Sequence, residues 1–155
     1  MTGIIDAKLE DLGILLPQPA TPAANYVPYV ITGNLVFISG QVPVGPQGLM
    51  YQGKVGRDVS AEDAIAAARL CALNIIAQVK AACDGNLDRV TRCVKLGGFV
   101  NGSPDFDQHP AVINGASDLI GEVFGEKGKH ARFAVGAGNL PFNVAVEIDA
   151  IFEIE

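Results

Sequence analysis

The sequence has few of the residues from which disulfide-rich and metal-binding proteins are built. Its 155 residues include three cysteines, two histidines and no tryptophan. The cysteine number is odd and no C-x-x-C spacing occurs, which argues against both a disulfide framework and a cysteine-based zinc site. Two histidines are too few for a His-rich metal site. We therefore predict no bound metal, and we expect the cysteines to be reduced packing residues.

Basic residues are also scarce, with 11 lysines and arginines against 17 acidic residues and a net charge of −6. A chain of this charge lacks the basic surface that phosphate backbones require, so we expect no nucleic-acid partner. The first ten residues carry acidic side chains where a signal peptide needs basic and then apolar ones. No apolar run has the length of a membrane span. We expect a cytoplasmic protein with no membrane partner.

A long segment, Leu12–Gly53, has no charged side chain over 42 residues. It contains six prolines, which exclude a continuous helix. The pattern predicts a Pro/Ala loop and then a hairpin, with strands at Tyr26–Thr32 and Leu35–Ser39 and a turn at Gly33-Asn34. A buried strand pair and a subunit interface would each explain so long an uncharged segment.

Two helices are predicted on either side of this segment. A short one covers Ile5–Gly13. A longer one runs from Ser60, a candidate N-cap, to about Cys83, and its apolar residues form one broad arc. Asn74 and Gln78 fall opposite that arc, so the pattern predicts that they face solvent.

The second half of the chain alternates strands and a helix. A strand is predicted at Val90–Gly97, and the pair Gly97-Gly98 suggests a bulge or bend. Pro110 suits the first position of a helix, and Gly125 suits its C-cap. A short strand is predicted at Ala131–Val135.

The end of the chain carries the clearest periodicity. Over Val144–Glu155 apolar residues alternate with a mostly polar set, which predicts a strand through Ile154 with one apolar face. The predicted order is then two strands, a helix, a strand, a helix and two strands. We interpret the chain as one domain, residues 1–155, with an α+β fold in which two helices cover one face of a mixed sheet.

Two charged residues stand out by their positions in this scheme. Arg132 lies on a strand of small residues, where an open face would suit bidentate binding of a carboxylate. Glu147 lies on the polar face of the terminal strand. From composition and spacing alone, the simpler interpretation is structural: Arg132 pairs with Glu147 or Asp149, and Glu147 is a solvated strand residue. No hydrolase or nucleotide-binding motif occurs, and no nucleophile stands beside an obvious base in the sequence.

Two longer segments resemble the Rid family (YjgF, reactive intermediate deaminase). They are GNLVFISGQVP at 33–43, preceded by Tyr26, and ARFAVGAGNLP at 131–141, followed by VEI at 146–148. The resemblance covers Tyr26–Glu155, which defines a core at 26–155 and an N-terminal extension at 1–25. The extension and the segment Asn114–His130 suggest a divergent subgroup.

The resemblance implies a chorismate-mutase-like α+β sandwich that assembles as a homotrimer. The sheets of the three subunits would form a closed inner barrel, with sites in the clefts between subunits. The implied activity is hydrolysis of enamine or imine intermediates, such as 2-aminoacrylate, to a 2-keto acid and ammonia. Neither a cofactor nor a metal is implied, and the substrate is a small molecule that bears a carboxylate.

The family's site residues can be assigned to positions of this chain. By the resemblance, Arg132 binds the substrate carboxylate and Glu147 orients the attacking water. Tyr26 lines the cleft, and the backbone at Ser39-Gly40 lies near the substrate nitrogen.

The helix residue of the cleft is assigned to Asn114 if one residue is gapped, and Ser117 is the alternative. The chain departs from the family at His130, where proline or alanine is usual. At the family's small or thiol position it has Ala134, so a reactive cysteine is absent there. These departures affect the identity of the substrate more than the type of reaction.

A second function remains open. A protein with the same trimeric fold could use Arg132 to bind 2-keto acids without turning them over. Retention of both Arg132 and Glu147 favours an enzyme, because binding alone needs only the arginine. An RNA-directed function fits poorly with the net charge of −6.

Overall fold

The computed structural model describes residues 3–22 and 24–155, and it has the predicted α+β class. Met1, Thr2 and Ala23, which belong to the predicted N-terminal extension, lie outside the described residues. The described residues form three α-helices and seven strands. In chain order these are α1 (Ile4–Asp11), β1 (Tyr29–Thr32), β2 (Leu35–Gln41), β3 (Val44–Gly45), β4 (Gly48–Leu49), α2 (Ala61–Ala82), β5 (Val90–Val100), α3 (His109–Phe124), β6 (Ala131–Gly136) and β7 (Val146–Ile154).

Five strands form one mixed sheet in the order β1-β2-β7-β5-β6. Neighbouring strands are antiparallel except for β5 and β6, which are parallel. The terminal strand β7 therefore lies at the centre of the sheet. The strands β3 and β4 form a separate small hairpin, for which the sequence carried no predicted turn.

The helices α2 and α3 cover one face of the sheet and bury its apolar side chains. Alternate residues of β7 from Val146 to Ile154 point into this core, and Phe152 is fully buried. All three cysteines are free and buried, which confirms their predicted role in packing. The predicted strand at the end of the chain is two residues shorter than expected, because Val144 and Ala145 lie outside β7 although both are buried.

The predicted hairpin is present, with Thr32 opposite Leu35. Gly33 has φ +58°, a left-handed conformation that a tight hairpin turn requires and glycine tolerates. The first strand begins at Tyr29 and not at Tyr26, and the second continues to Gln41. These corrections place Tyr26 in a loop.

The helix boundaries follow the predicted capping signals. The backbone N–H of Asp63 donates to the Ser60 hydroxyl at 3.1 Å, so Ser60 is the N-cap of α2. Pro110 is the second residue of α3, and Gly125 follows its end with φ +61°.

One prediction about α2 is wrong, because Asn74 and Gln78 are buried. The Asn74 amide donates to the carbonyls of Val42 and Val44, and the Gln78 amide donates to the carbonyl of Ala20. The uncharged segment thus covers the polar side of the helix and gives its amides backbone partners. By length and hydropathy α2 could cross a membrane, but its apolar window is 61% buried and it is a core helix of this fold.

The predicted bulge at Gly97-Gly98 is also wrong, because β5 passes through both residues in regular register with β7. Their role is to leave space. A β-carbon on Gly97 would lie 2.7 Å from the ring of Phe133, and one on Gly98 would lie 2.6 Å from Ile113. The close approach of neighbouring side chains on both faces explains this glycine pair.

Candidate functional site

The sheet is interrupted where β2 passes the start of β7. Ile38 pairs with Ala150 and Gln41 pairs with Ile148, so three steps along β2 match two steps along β7. The extra residue is a β-bulge at Ser39-Gly40. Bulges bend a strand and redirect its neighbours, and they are common beside active sites. This bulge coincides with the backbone segment that the family resemblance assigns to the substrate.

A cavity of about 240 Å³ opens at this bulge. It is lined by side chains from the loop before β1, from β2, from α2 and from β7. Among the predicted site residues it brings together Tyr26, Ser39, Gly40 and Glu147. Its remaining walls include Pro28, Gln41, Val42, Asn74 and Phe142.

The carboxylate of Glu147 packs directly on the backbone of Gly40. A β-carbon at Gly40 would lie 3.1 Å from the carboxyl carbon of Glu147 and would collide with one of its oxygens. Burial raises the pKa of Glu147, and the charge of Asp149 raises this pKa further. A half-buried carboxylate with a raised pKa can take up and release a proton closer to neutral pH than an ordinary glutamate.

Ser39 contributes to the site through its hydroxyl as well as its backbone. The hydroxyl donates to the carbonyl of Val27 at 2.8 Å, and the Ser39 N–H donates to the carbonyl of Pro28 at 2.9 Å. These bonds fix the loop that carries Tyr26, whose side chain is 54% exposed at the cavity. The hydroxyl therefore positions the loop, a role that the sequence did not reveal.

Arg132 lies on the other side of the sheet from Glu147. Paired residues on neighbouring strands point to the same face of the sheet. Arg132 pairs with Leu96, which is fully buried beneath the helices. Glu147 pairs with Phe99, which is 36% exposed on the face without helices. Arg132 is not among the residues that line the cavity. Within the described ranges it forms no ion pair with a carboxylate, so a structural pairing with Glu147 or Asp149 is not observed.

The guanidinium of Arg132 is held against α3. Nη1 donates to the Ser117 hydroxyl at 3.1 Å, and Nη2 donates to the carbonyl of Pro110 at 3.2 Å. The same hydroxyl lies 2.8 Å from Nε2 of His130. A hydroxyl and an imidazole are thus neighbours, although they are 13 residues apart in the sequence.

The structure separates the two candidates for the helix residue of the cleft. Ser117 contacts Arg132 directly. Asn114 is exposed and lies between Pro110 and Ser117 at helical spacing, on the side of α3 that Arg132 contacts. Ser117 is therefore a hydrogen-bond partner of the guanidinium, whereas Asn114 lies on the same side of α3 as an exposed residue.

The unpredicted residues that line the cavity include Gln41, Asn74 and Phe142. Gln41 is buried and its amide donates to the carbonyl of Ser39 at 3.0 Å. Asn74 comes from the helix side that was predicted to face solvent. Phe142 is 59% exposed and has φ +58°, a conformation that is strained for a bulky residue. Only the position of Gln41 inside a family motif could have indicated its role.

The face of the sheet without helices is apolar along most of its width. The strand register places the side chains of this face in rows across the sheet. The larger exposed or half-buried apolar ones include Val30, Phe37, Phe99, Phe133, Val135 and Ile151. Lys95 lies over the ring of Phe133 at 5.3 Å. A monomer would expose this surface to water.

The chain is an α+β domain of the chorismate-mutase-like class. It has a five-stranded mixed sheet with helices on one face, and a cavity at a bulge beside a half-buried glutamate. The family model "YjgF/chorismate_mutase-like, putative endoribonuclease" matches residues 6–153. The chain belongs to this family, the Rid/YjgF family, as its motifs indicated.

Relatives of the chain cover nearly its whole length. The Protein TCP17 of Trypanosoma cruzi is 50% identical over 154 residues, which are 99% of this chain and 96% of the relative. The crystal structure of a putative endoribonuclease from Shewanella oneidensis is 37% identical, with a TM-score of 0.93, and the match covers 97% of this chain and 99% of that one. The crystal structure of TdcF from Escherichia coli with bound serine is 25% identical, with a TM-score of 0.61 and coverage of 91% and 98%.

Proposed function

We propose that the protein hydrolyses small enamine or imine intermediates that carry a carboxylate. In the imine tautomer, water adds to the carbon of the C=N bond, so that a C–O bond forms. The resulting carbinolamine then collapses, the C–N bond breaks, and a 2-keto acid and ammonia leave. The step needs one water and no oxidant, reductant or cofactor.

The observation that carries this proposal is the environment of Glu147. Its carboxylate is half-buried in the cavity at the Ser39-Gly40 bulge, and its pKa is raised by burial and by Asp149. Such a group can hold a water and accept its proton as the water attacks the imine carbon. Because the substrate is already reactive, a modest lowering of the barrier is sufficient.

Arg132 supplies the second group that the reaction needs. Its guanidinium would bind the substrate carboxylate through two nitrogens and so orient the imine. Within one chain Arg132 and Glu147 lie on opposite faces of the sheet. We therefore propose that the complete site forms between two subunits of a homotrimer, with Glu147 from one subunit and Arg132 from its neighbour.

The relative with bound serine supports the substrate class. The Escherichia coli TdcF structure holds serine, a small molecule with an amino group and a carboxylate on the same carbon. A 2-imino acid has the same carbon skeleton and the same carboxylate, so it can use the same kind of recognition.

The direct test is release of 2-keto acid from 2-aminoacrylate generated in the assay. We expect the parent protein to accelerate it. Arg132→Ala should lower kcat/KM by about 30-fold to several thousand-fold, the loss of roughly 2–5 kcal/mol from a desolvated bidentate pair. Arg132→Lys should not restore it, because an ammonium has no planar fork. Glu147→Gln should lower kcat more than it raises KM.

A mixing experiment tests the location of the site. Arg132→Ala and Glu147→Gln chains, coexpressed with different tags, are purified as mixed assemblies. If each site takes its arginine and its glutamate from different subunits, about one cleft in four holds both in a random mixture, and activity returns to about a quarter of the parent value. Activity that stays at the level of the single variants would contradict a shared site.

Two other functions are outcomes of the same assays. A parent protein that binds pyruvate, lost in Arg132→Ala, without hydrolysing 2-aminoacrylate would indicate a ligand-binding protein. Endoribonuclease activity, which the family description and one relative's name carry, would appear as cleavage of RNA. The net charge of −6 disfavours RNA binding, so we expect none.

A further inference from the structure

We propose that Ser117 and His130 form a positioning pair that fixes the guanidinium of Arg132 for carboxylate binding. The proposal rests on the proposed function, because that function assigns the carboxylate to Arg132. Neither residue of the pair needs to touch the substrate.

The hydrogen bonds of the pair have one consistent direction. His130 Nδ1 lies 2.6 Å from the carbonyl oxygen of Gly128. A carbonyl can only accept, so Nδ1 carries the ring proton in the neutral imidazole and Nε2 is left as an acceptor. The Ser117 hydroxyl, 2.8 Å from Nε2, is therefore the donor of the hydrogen bond to the imidazole. Its lone pairs then point away from His130 and accept from Nη1 of Arg132 at 3.1 Å.

This direction gives Ser117 a specific task. Without His130, the hydroxyl could rotate and turn its proton toward Arg132, which offers only donors. Because the hydroxyl hydrogen of Ser117 is bonded to His130, the lone pairs of its oxygen remain free to accept a hydrogen bond from the guanidinium. The backbone carbonyl of Gly128, which is buried, thus sets the orientation of the whole chain of bonds.

The guanidinium is held at two points and keeps the rest of its donors. Nη1 is fixed by Ser117 and Nη2 by the carbonyl of Pro110. A guanidinium has five N–H groups, so three remain for a ligand. Because the side chain is already fixed, carboxylate binding costs less rotamer freedom than it would for a free arginine.

The same contacts argue against Ser117 as a nucleophile. Its hydroxyl donates a hydrogen bond to an imidazole, and the carbonyl of Gly128 orients that imidazole. An activated serine has the same arrangement. However, its oxygen accepts a hydrogen bond from a cationic guanidinium, and this stabilises the lone pairs that an attack would use. The pair is therefore assigned to positioning and not to covalent catalysis.

The first test does not depend on any activity. Histidine-selective ¹⁵N labelling and a long-range ¹H–¹⁵N correlation at about pH 9, where free imidazole is neutral, report which ring nitrogen carries the proton. The chain has two histidines, so a His109→Gln variant assigns the signals. We expect the proton of His130 on Nδ1. A proton on Nε2 would overturn the proposal.

The second test measures binding and turnover separately, with pyruvate as the carboxylate probe. Ser117→Ala should weaken pyruvate binding and raise KM by about five- to tenfold, with kcat within about twofold of the parent. Ser117→Thr, which keeps the hydroxyl, should restore binding. His130→Ala should resemble Ser117→Ala, and His130→Gln, which can accept through its amide oxygen, should restore part of the loss. Asp118→Ala, on the neighbouring exposed residue of α3, is the matched control.

The outcomes separate this inference from the proposed function. If the parent binds pyruvate but hydrolyses no imine, the deaminase proposal fails and the binding series still tests the pair. If the parent neither binds nor hydrolyses, the tautomer of His130 decides. Equal binding by Ser117→Ala and the parent would overturn the positioning role, and so would covalent labelling of Ser117 by a fluorophosphonate.

Discussion

The carboxylate of Glu147 occupies the space that a β-carbon on Gly40 would need. The ideal position of that carbon is 3.1 Å from the carboxyl carbon of Glu147 and closer still to one carboxylate oxygen. Gly40 belongs to the bulge of β2, where the strand curves past β7. The bulge and the missing side chain together let the glutamate lie flat on the backbone at the edge of the cavity.

Replacement of Gly40 by alanine should therefore displace the Glu147 carboxylate. A shift of about 1 Å in a catalytic group can cost about a hundredfold, so we expect kcat for imine hydrolysis to fall by roughly 10- to 100-fold. The measurement is kcat together with Tm. Gly121→Ala is the control, because a β-carbon at Gly121 has no neighbour within 4 Å. Parent-like kcat in Gly40→Ala would mean that the carboxylate position is unimportant.

The raised pKa of Glu147 predicts that this residue lowers the stability of the folded protein at neutral pH. A folded state that raises an acid's pKa binds more protons than the unfolded state between the ordinary and the raised value. The free energy of unfolding therefore falls as pH rises through that window and stays lower above it. Asp149, whose pKa is also raised by burial, acts in the same direction. We expect Glu147→Gln to have a higher Tm than the parent at pH 7, while activity falls.

The pH dependence of Tm distinguishes this effect from better packing. The advantage of Glu147→Gln should disappear below about pH 4, where the parent glutamate is protonated in both states. Scanning calorimetry from acid to neutral pH measures it. Glu10→Gln, on an exposed residue of α1, should show no such pattern. A Tm difference that is constant with pH would contradict the assigned cause.

Features with a local cause were predictable from the sequence. The alternation along β7, the Ser60 cap and the Gly33-Asn34 turn each arise from residues within a few positions, and the structure has all three. The pair Gly97-Gly98 suggested a bulge in β5, but the register of β5 shifts earlier, between Val90 and Lys95, and the bulge of β2 at Ser39-Gly40 had no such signal. A glycine pair can serve a bend or a close contact, and only the packing of Phe133 and Ile113 decides which.

The candidate site was predictable from the sequence only in part. The family motifs assigned Tyr26, Ser39, Gly40 and Glu147 to the site, and these four residues line one cavity. They could not indicate that Arg132 lies on the opposite face of the sheet, because the face depends on how β6 pairs with β5. The pair of Ser117 and His130 was equally hidden, since it is created by the return of the chain from α3 to β6.

The buried cysteines predict a thiol-inert native protein. Cys71 is completely buried and its pKa is raised well above the ordinary value by loss of hydration, and burial raises the pKa of Cys93 to about 12. A thiol reacts as its thiolate, so 5,5′-dithiobis(2-nitrobenzoate) should label none of the three cysteines at neutral pH and all three in guanidinium chloride. Intact mass under non-reducing conditions should show no disulfide. Rapid labelling of the folded protein would contradict this prediction.

The apolar face of the sheet predicts a surface that is covered by other subunits. Phe37 is 42% exposed and pairs with Val30 on one side and Ile151 on the other, so it lies within the apolar rows of that face. If three such faces close on one another, the parent should have a mass of about 49 kDa by light scattering, three times 16.2 kDa.

Phe37→Asp places a charge in the covered face and should shift the mass toward the monomer, with loss of imine hydrolysis because the shared sites are lost. Leu15→Asp replaces a side chain that is 93% exposed between α1 and β1, and it should leave both mass and activity unchanged. A parent protein that is monomeric at micromolar concentration would contradict the shared site, and Arg132 and Glu147 would then have to act separately.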